Sequence, residues 1–167
     1  MEVEALAIAR RVGSQSSPLA GELRVTSSDW FGVNMLTPVL AEFVSRQPLV
    51  RVELLTDARF LSLTRREADV AFRIRPFDEP DVVSRRLLHM RYGVYAKAEL
   101  AARVSETAED IPLLALDSGF SGVPGDGWLQ DRLPRARIVF RSNNRDVQAR
   151  MCALGVGVSV LPVPLGD

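Results

Sequence analysis

The stretch GELRVTSSDWFGVNMLTPVLAEFVSRQPLVRVELLTDARFLSLTRREADVAFRI, from Gly21 to Ile74, orders a strand, a helix, a strand, a helix and a third strand, and that order decides the fold. Leu23-Arg24-Val25-Thr26 alternates apolar and polar side chains as a half-buried strand does, and the Ser27-Ser28-Asp29 that follows is helix-capping chemistry. The next helix carries Leu36, Val39, Leu40, Phe43 and Val44 at i, i+3, i+4, i+7 and i+8, one stripe that is predicted to face a sheet. Gln47-Pro48 is predicted to stop it. Val50, Val52 and Leu54 then alternate with Arg51 and Glu53 as a second strand. Phe60, Leu61 and Leu63 predict a short helix before a third strand from Asp69 to Ile74. Such alternation favours a parallel sheet with right-handed crossovers.

Outward from this stretch, Glu2 to Val12 reads as the tail of a helix, followed by a flexible linker, Gly13 to Pro18. The first lobe ends with an apolar and basic strand, Val82 to Leu88, and a further strand, Arg91 to Tyr95, leads into a short helix through Glu99, Leu100 and Ala101. Thr107 to Asp110 reads as a capped helical turn and Pro112 to Leu116 as a strand. A glycine-rich loop, Gly119 to Gly127, holds Phe120 and is closed by Trp128. Arg137 to Arg141 predicts a strand. After Ser142-Asn143-Asn144 a helix carrying Val147, Met151 and Leu154 ends at Gly155, and the strand Val158 to Leu161 follows. Pro162 to Asp167 reads as the start of an element that does not finish.

Composition bounds the function. The 167 residues are 47% hydrophobic and 25% charged, enough to bury a core in one medium domain or two small lobes. Formal net charge is zero, so no basic field exists to hold a phosphate backbone, and this stretch alone is expected to bind nucleic acid poorly. Lys97 is the only lysine among 21 Lys and Arg residues, a bias that fits a GC-rich genome. Cys152 is the only cysteine, which excludes an intrachain disulfide and fits a reducing, cytoplasmic setting. Neither a signal peptide nor an apolar run of about 18 residues is evident, so no membrane association is expected.

Several of these landmarks together resemble the effector-binding domain of LysR-type transcriptional regulators, over almost the whole chain from about Ala5 onward. They are Gly21-Glu22-Leu23-Arg24-Val25, the Leu-x-Pro-x-Leu-x-x-Phe spacing ending at Phe43, and Gln47-Pro48-Leu49-Val50. Next come Ala68-Asp69-Val70-Ala71-Phe72-Arg73-Ile74, Arg85-Arg86-Leu87, Tyr92 to Ala96, and Gly155-Val156-Gly157-Val158-Ser159-Val160-Leu161-Pro162. The resemblance implies an α/β fold of two Rossmann-like lobes, the type II periplasmic-binding-protein architecture. Residues 1–20 would be the end of a linker helix and linker, 21–92 the first lobe and 93–167 an incomplete second lobe. It also implies a small organic acid effector, a homodimer or tetramer, no cofactor, and DNA contact only through an N-terminal helix-turn-helix that this stretch lacks.

Candidate ligand residues follow from strand ends. Ser27 and Ser28 sit where a strand gives way to a helix, and free backbone N–H groups with the helix dipole favour an anionic group there. Either serine also reads as a plain helix cap. In similar proteins the inducer carboxylate is held at this turn. Thr56 ends the second strand at the same edge, with Asp57 beside it as a turn residue, while Arg73 and Arg75 end the third, and an arginine there pairs readily with a carboxylate. Arg73 matches the family's usual arginine, whereas Arg75 stands where similar proteins often have a small residue. Ser142, Asn143 and Asn144 repeat the strand-to-helix arrangement in the second lobe and are expected to face the first lobe's turn across the cleft, again with capping as the plain alternative, and Phe120 is placed to close over a ligand or to plug a loop.

Catalysis lacks its ingredients in this stretch. His89 is the sole histidine, so neither a Ser-His-Asp triad nor a histidine metal cluster can be assembled, and the glycine-rich segments carry no phosphate-loop lysine and no dinucleotide fingerprint. The sequence therefore points to a non-enzymatic effector-sensing domain of a bacterial regulator. A two-lobed solute-binding receptor and an enzyme on the same scaffold are the alternatives.

Overall fold

A computed structural model describes residues 19–57, 61–74, 77, 81–106, 109–117 and 126–167. The expected helix tail and linker before residue 19, Phe60, Arg75, Thr107, Ala108 and most of the glycine-rich loop, Phe120 included, lie outside the described residues.

The first lobe is built on β1 (Gly21–Ser27), which pairs in parallel with β2 (Val50–Thr56) on one side and β3 (Val70–Ala71) on the other, giving the order β2-β1-β3. Between β1 and β2 the chain is helical from Asp29 to Arg46, as α1 (Asp29–Phe31), a π-helical stretch Gly32–Leu36, and α2 (Thr37–Arg46). The widened turn is braced from within: Asn34 Nδ2 donates to the Trp30 carbonyl and Thr37 Oγ1 to the Gly32 carbonyl. Gly32 lets this segment press onto the strand ends, because a Cβ there would stand 2.3 Å from Thr56 Cγ2 and 2.8 Å from Ser27 Oγ. Trp30 is 2% exposed and meets Phe31 edge to face, with Phe31 packed in turn against Phe72.

Four details depart from the sequence reading. The predicted stripe of α2 is only half covered: Leu36 is buried and Leu40 and Phe43 half-buried, but Val39 and Val44 are exposed, because a helix lying on β2 hides only the centre of so wide an apolar face. Leu61 and Leu63 are not helical. Residues 63–66 form a turn in which Arg66 takes a left-handed backbone (φ 56°), while the Glu67 carboxylate accepts the Ser62 N–H. The third strand shrinks to Val70–Ala71, extended by one Phe72 N–H to Thr26 carbonyl bond. Val82 to Leu88 forms no strand and pairs with none among the described residues.

The second lobe starts at β4 (Tyr92–Tyr95) and continues through α3 (Ala98–Glu106), β5 (Pro112–Leu116), α4 (Asp126–Arg132), β6 (Arg137–Ser142), α5 (Arg145–Ala153), β7 (Ser159–Pro162) and α6 (Val163–Gly166). The pairs are β5 with β6 in parallel and β4 with β7 antiparallel. Val158 joins the two pairs, since its carbonyl accepts the Leu114 N–H and its N–H donates to the Pro112 carbonyl. Leu100, Ile111, Leu113, Leu129, Leu133, Val158 and Val160 form the core of this lobe, drawn from α3, α4 and the strands. The helix α4 was not foreseen, as its seven residues include Gly127 and only two large apolar side chains.

Gly157 controls how closely these strands approach. A Cβ there would lie 2.8 Å from the Pro112 carbonyl oxygen, a backbone atom that cannot swing away, and 3.0 Å from Leu114 Cγ. Gly157→Ala is therefore expected to cost about 1–3 kcal/mol, read as a lower midpoint in chemical denaturation, with far-UV circular dichroism of the folded state unchanged.

Candidate effector site between two helix starts

Parallel pairing brings the C-terminal ends of β1 and β2 side by side, so Ser27 stands opposite Thr56 and the Asp57 N–H donates to the Ser27 carbonyl. Ser27 is buried, and its Oγ donates to the Ser28 carbonyl at 3.1 Å while backing onto Gly32. Ser28 precedes the helix with an extended backbone but makes no side-chain cap, which leaves its half-buried hydroxyl uncommitted to capping. Thr56 is exposed at the same edge.

Arg73 follows β3 by two residues. Its Nη2 donates to the Leu61 carbonyl and its guanidinium sits 4.6 Å from the centre of the Phe77 ring. Arg75 and Phe120 fall outside the described residues.

In the second lobe, β5 and β6 bring Leu116 opposite Ser142, and the Asp117 N–H donates to the Ser142 carbonyl. Ser142 Oγ accepts the Asn144 N–H at 3.1 Å. Asn143 is exposed. Asn144 is the N-cap of α5, its Oδ1 accepting the Val147 N–H at 3.1 Å. Its other atom, Nδ2, crosses to the first lobe and donates to Asp29 Oδ2 at 2.8 Å. The starts of α1 and α5 therefore face each other at one seam, and these helices are in contact.

The seam is acidic. Burial pushes the Asp29 carboxyl above its usual range, the Asn144 hydrogen bond works against that, and the carboxylates of Asp57 and Asp146 raise it further. The sequence places Asn144 in a turn expected to face the first lobe and Asp29 in capping chemistry, but does not pair these two side chains. An acid at a first helical position and an amide at another helix start, 115 residues away, carry no local sign of contact. Behind the seam, Arg145 is buried, with Nη1 donating to Gln148 Oε1 at 3.0 Å and to the Val160 carbonyl at 2.8 Å. That ties the first turn of α5 to β7. Among the described residues no group of three or more His, Cys, Asp and Glu side chains is disposed to hold a metal ion.

Residues 16–166 match the family model of the LysR substrate binding domain. The HTH-type transcriptional regulator CrgA of Neisseria meningitidis serogroup C is 29% identical over 93 residues, which are 54% of this chain and 31% of CrgA. The Mau operon transcriptional activator of Paracoccus denitrificans is 27% identical over 162 residues, 97% of this chain and 55% of the activator, so the chain spans about half or less of these relatives. The regulatory domain of CrgA superposes with a TM-score of 0.71 at 22% identity, covering 88% of this chain and 75% of that domain. The effector domain of AmpR from Pseudomonas aeruginosa gives 0.69 at 22%, covering 87% and 72%. These neighbours share the type II periplasmic-binding-protein-like α/β fold. Strand order, paired helix starts and a family match over nearly all the described residues agree: the chain belongs to the LysR substrate-binding domain family.

Proposed function

We propose that this effector-binding domain senses a small organic acid for a LysR-type bacterial regulator. The acid would enter the seam at the Ser27–Ser28 turn, with Thr56 and Arg73 on the first lobe and Ser142 and Asn143 on the second. Arg75 and Phe120 complete the proposed set. Binding would favour one relative arrangement of the lobes, which requires unequal affinity for the two arrangements. In the whole regulator a homodimer or tetramer would carry that change to a separate N-terminal helix-turn-helix on DNA.

The observation that carries this reading is the 2.8 Å bond from Asn144 to Asp29, because it brings two helix starts, whose dipoles favour an anionic group, to one place. Relatives named as transcriptional regulators support a sensing role over an enzymatic one. No helix among the described residues is long and apolar enough to cross a membrane.

A thermal-shift screen of small organic acids tests the reading. A ligand at about one hundred times its Kd should stabilise the domain by about 2.7 kcal/mol. Ser28→Ala should weaken binding by about tenfold, the loss of one hydrogen bond to a charged group. Equal shifts in the two proteins would remove Ser28 from the site, and no shift with any acid would remove the acid.

The acidic seam gives binding a pH dependence of definite sign. An anionic effector meets Asp29 with Asp57 and Asp146 close by, and a group whose carboxyl is already pushed up takes a proton most readily. Effector binding should therefore strengthen as pH falls from neutral toward the raised range of the Asp29 carboxyl, and Asp29→Asn should flatten that dependence. Calorimetric titration at several pH values checks both.

The same group affects the free protein. A carboxyl raised in the folded state adds stability that is fully present below the unfolded pKa and is lost as pH rises through the folded value. Asp29→Asn removes the ionised form and keeps an acceptor for Asn144. The variant should be the more stable protein at neutral pH, with the difference disappearing under acid conditions, as followed by melting temperature against pH.

A further inference from the structure

Asn144 uses both ends of one side chain. Its Oδ1 closes the first turn of α5 through the Val147 N–H, and its Nδ2 reaches the carboxylate at the start of α1 in the other lobe. A residue needed only as a cap could be Ser, Thr or Asp equally well, since each offers the oxygen that capping requires. Only an amide also offers an N–H to the facing acid. The facing partner is itself half-buried and carries burial and two nearby carboxylates against its charge. An N–H directed at such a group is worth more than the same bond made in water.

The rest of the seam is arranged so that this bond has leverage. Arg145, the next residue, is bound to Gln148 and to the Val160 carbonyl, so the start of α5 cannot shift independently of β7. On the other side, the Gly32 N–H donates to the Ser28 carbonyl, and the helix start is pressed against Thr56 and Ser27. Each partner of the bond therefore sits on an element fixed to its own lobe.

From this geometry we infer that Asn144 and Asp29 form an interlobe latch: a directional amide-to-carboxylate bond that holds the two helix starts together and sets their spacing. Asn144 is a positioning residue. The latch acts on lobe closure itself, so it operates whether or not a ligand occupies the seam, and its failure would be separate from failure of the effector reading.

Three variants of the whole chain separate the latch from the cap. Asn144→Asp keeps an oxygen for the Val147 N–H but sets two carboxylates face to face. Asn144→Ser keeps a capping oxygen and adds no charge, but its hydroxyl stands one bond closer to the backbone than Nδ2 and so loses the reach to Asp29. The exchanged pair, Asp29→Asn with Asn144→Asp, rebuilds the same bond with donor and acceptor reversed and retains an N-cap oxygen. Hydrogen exchange is read at the Gly32 and Gln148 amides, which belong to the two helix starts, with the Leu114 and Val158 amides of the second lobe's strands as internal reference. Small-angle scattering supplies the radius of gyration.

In Asn144→Asp and Asn144→Ser, exchange at the two helix starts should quicken by about tenfold, the equivalent of one charge-assisted hydrogen bond, and the radius of gyration should grow while the reference amides stay protected. In the exchanged pair both readouts should return to within about twofold of the parent. Rescue of that kind is not available to a residue that merely caps a helix. Unchanged exchange and size in Asn144→Ser would overturn the latch. So would an exchanged pair that folds, with its reference amides protected, and remains as open as Asn144→Asp. Should Asn144→Asp fail to fold, Asn144→Ser and the exchanged pair decide the matter alone.

Discussion

Parallel strand pairing is the constraint on which the seam depends. Neighbouring strands that run in one direction end at one edge, and the chain must leave that edge through a turn into a crossover helix. In the first lobe this puts Ser27 beside Thr56 and the start of α1 above both. In the second it puts Leu116 beside Ser142 and the start of α5 above them. Neither lobe needs the other to make this arrangement. The antiparallel β4 and β7 are the exception.

Once two such edges meet, electrostatics becomes the deciding factor. Helix starts present partial positive charge, which favours anions, yet this protein has already placed Asp29 at one of them with Asp146 in the first turn of the other. These carboxylates suit the dipoles of their own helices and repel one another across the gap. Burial adds to that cost at Asp29, and the Asn144 amide offsets part of it. A closed seam is therefore a compromise between helix dipoles that favour the acids and mutual repulsion that disfavours them. Such a balance is easily shifted by one proton or one bound charge, and a sensing domain requires two arrangements separated by only a few kcal/mol.

The sequence was most legible where a pattern is local. The alternation of Leu23 to Thr26, the serine pair before Asp29, the stop at Gln47 and the strand Pro112–Leu116 each follow from side chains within a few positions, and each appears where expected. Legibility failed where an element depends on distant partners. Val82 to Leu88 has the composition of a strand, but a strand is defined by what it pairs with, and composition does not supply that. Val39 and Val44 fit the helical stripe by spacing, yet β2 covers only the middle of it. That the Ser142–Asn144 turn faces the first lobe's turn was legible, but the pairing of Asp29 with Asn144 was not, since neither residue's neighbours hint at the other. Site residues could be proposed from strand ends because topology forces those ends together, but which atoms touch is a tertiary fact.

Arg145 shows how the second helix start is made rigid enough for its neighbour's amide to matter. A guanidinium in the interior is expensive unless its N–H groups are used, and here Nη1 binds both a side chain one turn along the same helix and a carbonyl on β7. The surroundings carry further cost: burial pushes the Tyr92 hydroxyl up, with the Arg145 charge opposing, and neither the Tyr92 hydroxyl nor Gln148 Nε2 has a hydrogen-bond partner among the described residues. A helix held only by apolar contacts could slide along β7, whereas one held by a charged N–H donor on a fixed carbonyl keeps its register. Because β7 pairs with β4, and β4 opens the second lobe, any displacement of Asn144 is a displacement of α5, β7 and β4 together. The buried polar cluster thus makes one unit of elements that apolar packing alone would leave free to move separately.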